Sequence, residues 1–78
     1  MSNSPIQNSI RKWRFMSGEL TQQELADKVG ISRQTVVAIE KGNYSPSLEL
    51  AFRIALAFNT SIEEIFIYDL VETKKKRK

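Results

Sequence analysis

The adjacent carboxylates Glu63 and Glu64 are the residues whose type and spacing come closest to a general acid–base pair. They follow Ser61 as the acidic residues of a capping box would, so the start of a helix explains them. The 78 residues contain no cysteine and no histidine, which excludes thiolate and imidazole metal ligands and histidine acid–base chemistry. Because no nucleophile–base pair and no glycine-rich phosphate loop are present either, we expect no enzyme, no metal site and no cofactor.

A more informative spacing lies between positions 22 and 39, where six residues each have a steric reason to be what they are: Gln22, Ala26, Gly30, Ser32, Val36 and Ile39. Ala26 is small enough for a following helix to cross close above it. Gly30 permits the positive φ that a short turn requires. Val36 and Ile39 fill the wedge between the helices, so the pattern predicts two helices joined by a tight turn.

Both of these helices begin with a capping signal. Thr21 and Glu24 have the spacing of a capping box, and Ser32 precedes the second helix of the pair. The first turn of that second helix therefore projects outward. This geometry is typical of a DNA-reading unit, in which the second helix lies in the major groove with its first residues at the base edges. The alternative is an ordinary helical hairpin within a small bundle.

Caps and apolar spacing predict five helices in all, over residues 7–16, 21–29, 32–41, 48–58 and 61–66. In the first helix, Ile10, Trp13 and either Phe15 or Met16 form the apolar stripe. Residues 67–71 are rich in β-formers and leave a short strand or a helical continuation open. The predicted fold class is all-α: a compact five-helix domain with a possible short C-terminal strand.

The charge is unevenly distributed along the chain. The net charge is +3, but residues 74–78 alone carry +5, while residues 1–41 carry +2 and residues 42–73 carry −4. A polyanionic partner is therefore expected to meet the first half. We predict a flexible N-terminus over residues 1–6, one domain over 7–72 and a disordered basic tail over 73–78. The tail either adds salt-sensitive affinity or only aids solubility.

No apolar stretch reaches the roughly 18 residues of a membrane span, and the first residues lack the pattern of a signal peptide. We therefore expect a soluble, cytoplasmic protein without a membrane partner.

The acidic half carries more apolar residues than one thin domain is expected to bury. Leu56 has the helical phase of a solvent-facing residue, and Phe52 is close to it in sequence. The other residues predicted for this surface are Phe58, Ile67, Tyr68, Leu70 and Val71. An exposed apolar patch typically marks an interface, so we predict a homodimer. Closure of the monomer core by the same residues is the alternative.

Residues 20–51 resemble the phage-repressor-type, or Xre/Cro-like, helix-turn-helix family, and the resemblance extends over residues 10–66. It implies a compact five-helix domain whose second and third helices form the reading unit. It also implies cytoplasmic control of transcription, usually repression by a dimer. A twofold dimer would place two reading helices about 34 Å apart on a palindromic double-stranded operator.

The resemblance assigns base reading to the first turn of the third helix. Arg33 can bond to guanine O6 and N7, and Gln34 to adenine N6 and N7. Ser32 and Thr35 lie beside them, and Ala38 lies one turn further on, where it can meet a thymine methyl group.

The family also has residues that hold the DNA backbone. Gln22, with Thr21 before it, resembles the family's phosphate-clamping glutamine at a helix N-terminus. Lys41 and Asn43 lie where the family makes further backbone contacts. Tyr44 either adds such a contact or packs under the loop.

A structural pair is implied as well, between Arg14 of the first helix and Glu40 at the end of the third. Such a pair defines geometry more than it adds stability. The alternative makes Arg14 one more DNA-facing cation. One departure from the family is the longer turn over residues 16–19, where Glu19 puts a negative charge near the approaching DNA backbone.

An antitoxin or a restriction–modification controller would share this domain and also bind a protein partner. No segment suited to binding a toxin is evident, and no small-molecule effector is indicated. The sequence thus favours a DNA-binding regulator over both an enzyme and a protein-interaction module.

Overall fold

A computed structural model describes residues 6–68. Five helices and two short strands follow one another along this part of the chain: β1 (Ile6–Asn8), α1 (Ile10–Met16), α2 (Gln22–Val29), α3 (Arg33–Lys41), α4 (Leu48–Ala57), α5 (Ile62–Ile65) and β2 (Phe66–Tyr68). The predicted five-helix fold with a short strand after the last helix is confirmed. The predicted interface residues Leu70 and Val71, and the basic tail, lie outside the described residues.

The two strands form a small antiparallel sheet, in which Ile6 lies opposite Tyr68 and Asn8 lies opposite Phe66. Two expectations were therefore wrong: Ile6 belongs to a strand rather than to a flexible N-terminus, and the first helix begins at Ile10 rather than at residue 7. The reason is non-local, because the end of α5 and β2 supply hydrogen-bond partners for this segment. The Ser9 amide donates to the carbonyl of Ile65 at 2.9 Å. The sequence left a strand or a helical continuation open for residues 67–71, and the structure has a strand at 67 and 68.

Of the caps predicted at Thr21, Ser32 and Ser61, the first two are present, and Ser47 caps α4 as well. Thr21 and Glu24 form the reciprocal capping box, and the hydroxyls of Ser32 and Ser47 each accept from a backbone amide three residues on. The predicted box at Ser61 is wrong, since its side chain makes no capping hydrogen bond. In this single-turn helix the Glu64 amide instead donates to the carbonyl oxygen of Ser61 at 3.2 Å.

The core lies where all five helices meet, and its largest fully buried side chains are Ile10, Leu25, Val36, Ile39, Ile54 and Ile65. The apolar stripe predicted for α1 ends early, because Phe15 and Met16 are 68% and 55% exposed. The position four residues after Ile10, where a helix faces the core again, holds Arg14, which is half-buried and ion-paired.

Phe58 was predicted for a dimer interface but lies in the core, only 7% exposed. Its ring packs at 6.1 Å, centroid to centroid, against that of Trp13. Phe58 follows the last residue of α4, where the chain turns back towards α5, and this turn brings the ring under α1. It is therefore a core residue.

None of the helices within residues 6–68 has both the length and the apolar character needed to cross a membrane.

Candidate nucleic-acid interface

Helices α2 and α3 form the tight two-helix unit that the spacing predicted. Ala26 is fully buried at their crossing, and Gly30 has a φ of +79°. The amides of Gly30 and Ile31 both donate to the carbonyl of Ala26, at 2.8 and 3.0 Å. These bonds satisfy the carbonyl end of α2 and hold the turn, so α3 leaves it in one defined direction.

The first turn of α3 presents two polar side chains to solvent. Arg33 and Gln34 are exposed, and neither has a hydrogen-bond or ion-pair partner among residues 6–68. Ser32 and Thr35 are bonded to each other through their hydroxyls at 2.9 Å, and Ser32 also accepts from the Thr35 amide at 3.1 Å. The cap therefore holds the turn in place while Arg33 and Gln34 remain available for a ligand. Ala38 is half-buried one turn further along.

The side chains predicted to hold the DNA backbone differ in their exposure and in whether they already have hydrogen-bond partners. The Gln22 amide donates to Glu40 Oε1 at 3.2 Å, and the hydroxyl of Thr21 is used in the capping box. Lys41 is exposed and has no partner among the described residues. Asn43 is exposed, and Tyr44 is 49% exposed, so Tyr44 does not pack fully under the loop.

A groove runs between α1, α2 and α3 and brings most of these residues together. Its polar lining includes Arg11, Arg14, Thr21, Gln22, Gln23, Arg33, Glu40 and Lys41. These residues include four cations and a single carboxylate, so the described lining of the groove carries a formal charge of +3. Such a concave, positively charged surface attracts a polyanion.

The Arg14–Glu40 ion pair forms the floor of this groove. Arg14 Nε lies 2.7 Å from Glu40 Oε2, and Arg14 Nη2 donates to Oε1 at 3.2 Å. The third guanidinium nitrogen donates to the carbonyl of Leu20 at 2.9 Å. With side-chain exposures of 15% and 10%, the pair joins α1 to the end of α3.

Sequence reasoning missed four residues that line the groove: Asn8, Arg11, Gln23 and Val37. Asn8 donates from its amide to the carbonyl of Ile39 at 2.8 Å, so it ties β1 to the last turn of α3. An asparagine before a helix signals only a local turn, and a contact across 31 residues leaves no local mark. Arg11 had one available signal: it precedes Arg14 by three residues and so lies on the same face of α1.

Four of the residues predicted for the dimer surface or near it are exposed. Leu56 is 75% exposed and Phe52 is 53% exposed on α4, while Ile67 and Tyr68 are 56% and 50% exposed on β2.

A capped helix with free arginine and glutamine side chains, held by a tight turn beside a cationic groove, defines a helix-turn-helix DNA-binding protein. The family model described as helix-turn-helix matches residues 10–65. The chain belongs to this Xre/Cro-like helix-turn-helix family and is a DNA-binding transcriptional regulator, not an enzyme.

Named relatives agree with this family. An uncharacterized HTH-type transcriptional regulator of Methanocaldococcus jannaschii is 53% identical over 64 residues, covering 82% of this chain and 96% of that protein. Another, from Methanothermobacter thermautotrophicus, is 63% identical over 61 residues, covering 77% of this chain and 87% of its own length. The cryptic phage CTXphi transcriptional repressor RstR of Vibrio cholerae is 36% identical over 47 residues, 60% of this chain and 42% of RstR.

Solved structures share the fold. The hypothetical transcription factor NHTF from Neisseria superposes with a TM-score of 0.68 at 24% identity, covering 85% of this chain and 75% of that one. A putative DNA-binding protein from Bacteroides fragilis has a TM-score of 0.69 at 21% identity, covering 80% of this chain and 98% of that one.

Proposed function

We propose that this regulator is a repressor that binds a palindromic operator as a homodimer, with α3 in the major groove. The observation that carries the proposal is the first turn of α3, where Arg33 and Gln34 are exposed and unpartnered among residues 6–68. Guanidinium and carboxamide groups each bond bidentately to one base, guanine and adenine respectively. The bonded pair Ser32 and Thr35 supports this turn.

Backbone contacts would set the register of α3 on the duplex. Lys41, exposed at the end of α3 and without a side-chain partner in the part of the chain that the structure describes, is proposed to contact one phosphate. Gln22 and Thr21 lie at the start of α2, whose unpaired amides favour an anion. The Gln22 amide is already oriented by Glu40, which leaves its remaining N–H for a phosphate oxygen. Asn43 and Tyr44 are exposed after α3 and extend the contact, and Ala38 is proposed to meet a thymine methyl group.

Repression is the simplest mode of action for a protein of this kind. A dimer bound to an operator blocks the access of other proteins to the same DNA, and it needs no further surface for contacting them. The relative RstR is named a transcriptional repressor, which supports the same mode for this chain. We place its action in the cytoplasm, where such an operator would lie, and the proposal requires no small-molecule effector.

Selection of bound duplexes from a random-sequence pool tests the proposal. We expect enriched sites with two inverted half-sites whose centres are about one helical turn apart, because a twofold dimer presents two copies of α3. Enrichment of a single unrepeated half-site would contradict the dimer, and absence of any enriched sequence would contradict base reading by α3.

The proposed dimer interface is formed by the exposed apolar residues Phe52, Leu56, Ile67 and Tyr68. Leu56→Lys is expected to weaken self-association by at least about tenfold, since it places a charge at the centre of a desolvated contact. The monomer should stay folded, because Leu56 is 75% exposed. Sedimentation velocity across micromolar concentrations measures the shift to monomer.

Phe15→Lys is the matched control, because Phe15 is similarly exposed at 68% but lies on α1. It should leave the dimer intact. A wild-type chain that sediments at 9.0 kDa at every concentration would rule out the proposed dimer.

A further inference from the structure

The cationic groove extends beyond the helix-turn-helix unit, because one of its walls is α1. Arg11 of α1 lines it together with Gln22 of α2 and Arg33 and Lys41 of α3. The residues proposed to contact DNA lie on α2 and α3, at the cap before α2 and in the loop after α3, and none lies on α1. The question is what the α1 wall contributes.

Most polar groups at the bottom of the groove already have partners. All three nitrogens of the Arg14 guanidinium donate to Glu40 or to the carbonyl of Leu20. The Asn8 side chain donates to the carbonyl of Ile39 and accepts from the Ile10 amide at 3.2 Å. These groups therefore shape the groove, and binding a ligand through them would first require breaking internal hydrogen bonds.

Arg11 is in the opposite state. The Arg11 side chain is exposed, and it has no hydrogen bond or ion pair with any of residues 6–68. The same is true of Arg33 and Lys41 on the other side of the groove, whereas the single lining carboxylate, Glu40, is neutralised by Arg14. Free cations on both walls suit an extended polyanion that passes along the groove rather than one small anion.

We propose that Arg11 holds a backbone phosphate of the bound DNA on the α1 side of the groove. The inference rests on the proposed function, and it extends the phosphate contacts from the helix-turn-helix unit to the first helix. A guanidinium offers five N–H donors in a fork that matches phosphate oxygens. Because the contact is to the backbone, it adds affinity for every sequence and no discrimination between sequences.

The test compares Arg11→Gln with Lys12→Gln. Lys12 is the next residue of α1 and is also exposed, but it is not among the residues that line this groove. Each variant removes one positive charge, and glutamine preserves helix propensity. Binding to a mixed-sequence duplex of about 30 base pairs is titrated between 50 and 200 mM salt, so that no knowledge of the operator is needed.

For Arg11→Gln we expect the slope of log K against log salt to become shallower by about 0.9, with affinity about fivefold lower near physiological salt. Lys12→Gln should keep the wild-type slope. Circular dichroism should show both variants folded, since neither side chain has a partner among the described residues.

Equal slopes for the two variants would overturn the role of Arg11 while leaving the proposed function standing, because the wild type would still bind duplex DNA and select its site. A wild-type chain that binds no duplex would overturn both. A lower ratio of operator to mixed-sequence affinity in Arg11→Gln would also overturn the inference, since it would make Arg11 a base-reading residue.

Discussion

Replacing Arg33 and Gln34 with alanine is expected to remove most of the discrimination between the selected operator and an unrelated duplex. Each bidentate side chain–base pair contributes about 1–3 kcal/mol of discrimination, so each single variant should lower the affinity ratio by roughly 5- to 150-fold. The helices should be unaffected, because both side chains are exposed and have no partner within residues 6–68. Fluorescence anisotropy with the two duplexes measures the ratio.

The matched control removes a side-chain amide from α2, the helix that precedes α3. Gln23 lines the groove on α2 and bonds to Asp27 at 3.0 Å, so Gln23→Ala is expected to change both affinities by the same factor. If the Arg33 and Gln34 variants also kept the wild-type ratio, base reading would have to be assigned to another part of the chain.

Arg14→Ala is expected to be the most destabilising change of a polar residue in the domain. It leaves the Glu40 carboxylate, whose side chain is 10% exposed, with the Gln22 amide as its only side-chain partner among residues 6–68. Removing one partner of a fully buried pair costs about 3–5 kcal/mol. Because this pair is only partly buried, we expect about 2–4 kcal/mol, still a large share of the 5–15 kcal/mol by which domains are stable. For a domain of this size the melting temperature should fall by more than about 10 °C.

The ion pair between Glu49 and Arg53 is the control, because it has comparable chemistry in a solvent-exposed place. Its side chains are 76% and 52% exposed, so Glu49→Gln should cost less than about 1 kcal/mol. A double variant with Arg14→Met and Glu40→Leu should be more stable than Arg14→Ala, since it leaves no charge unpaired. Urea unfolding that shows Arg14→Ala and Glu49→Gln to be equally mild would mean that the Arg14–Glu40 pair is solvated in solution.

The α2–α3 unit was predictable because its signals are local. A capping box, a glycine in the left-handed region and a serine cap all act within a few residues, and the structure has each of them where the sequence placed it. The Arg14–Glu40 pair was reached only through the family resemblance. Its partners are 26 residues apart, and nothing in the local sequence of either one points to the other.

The remaining features depend on contacts that the sequence does not display. Ile6 belongs to a strand only because β2 lies beside it. Arg14 occupies the core-facing position of α1 because Glu40 of α3 lies close enough to form an ion pair with it. Phe58 is apolar at the end of an apolar helix, so pattern alone left core and interface both open. In the sequence, Arg11 looks like any other exposed cation on a helix, and only its place in the groove lining distinguishes it from them.

The way α1 is anchored bears on the order in which the domain assembles during synthesis. Its hydrogen bonds to the rest of the molecule include those from the Ser9 amide to Ile65 and from the Trp13 indole to the carbonyl of Glu64 at 3.3 Å, partners 51 or more residues later. A nascent chain can close the α2–α3 unit as soon as α3 has left the ribosome, because that unit depends on nearby residues. Helix α1 can pair Arg14 with Glu40 once α3 is present, but it completes its hydrogen bonds only when residues 64 and 65 have also emerged. The first segment to emerge is thus among the last to be fully anchored, and the α1 wall of the groove is held by all its contacts only once residues up to Tyr68 are free to fold.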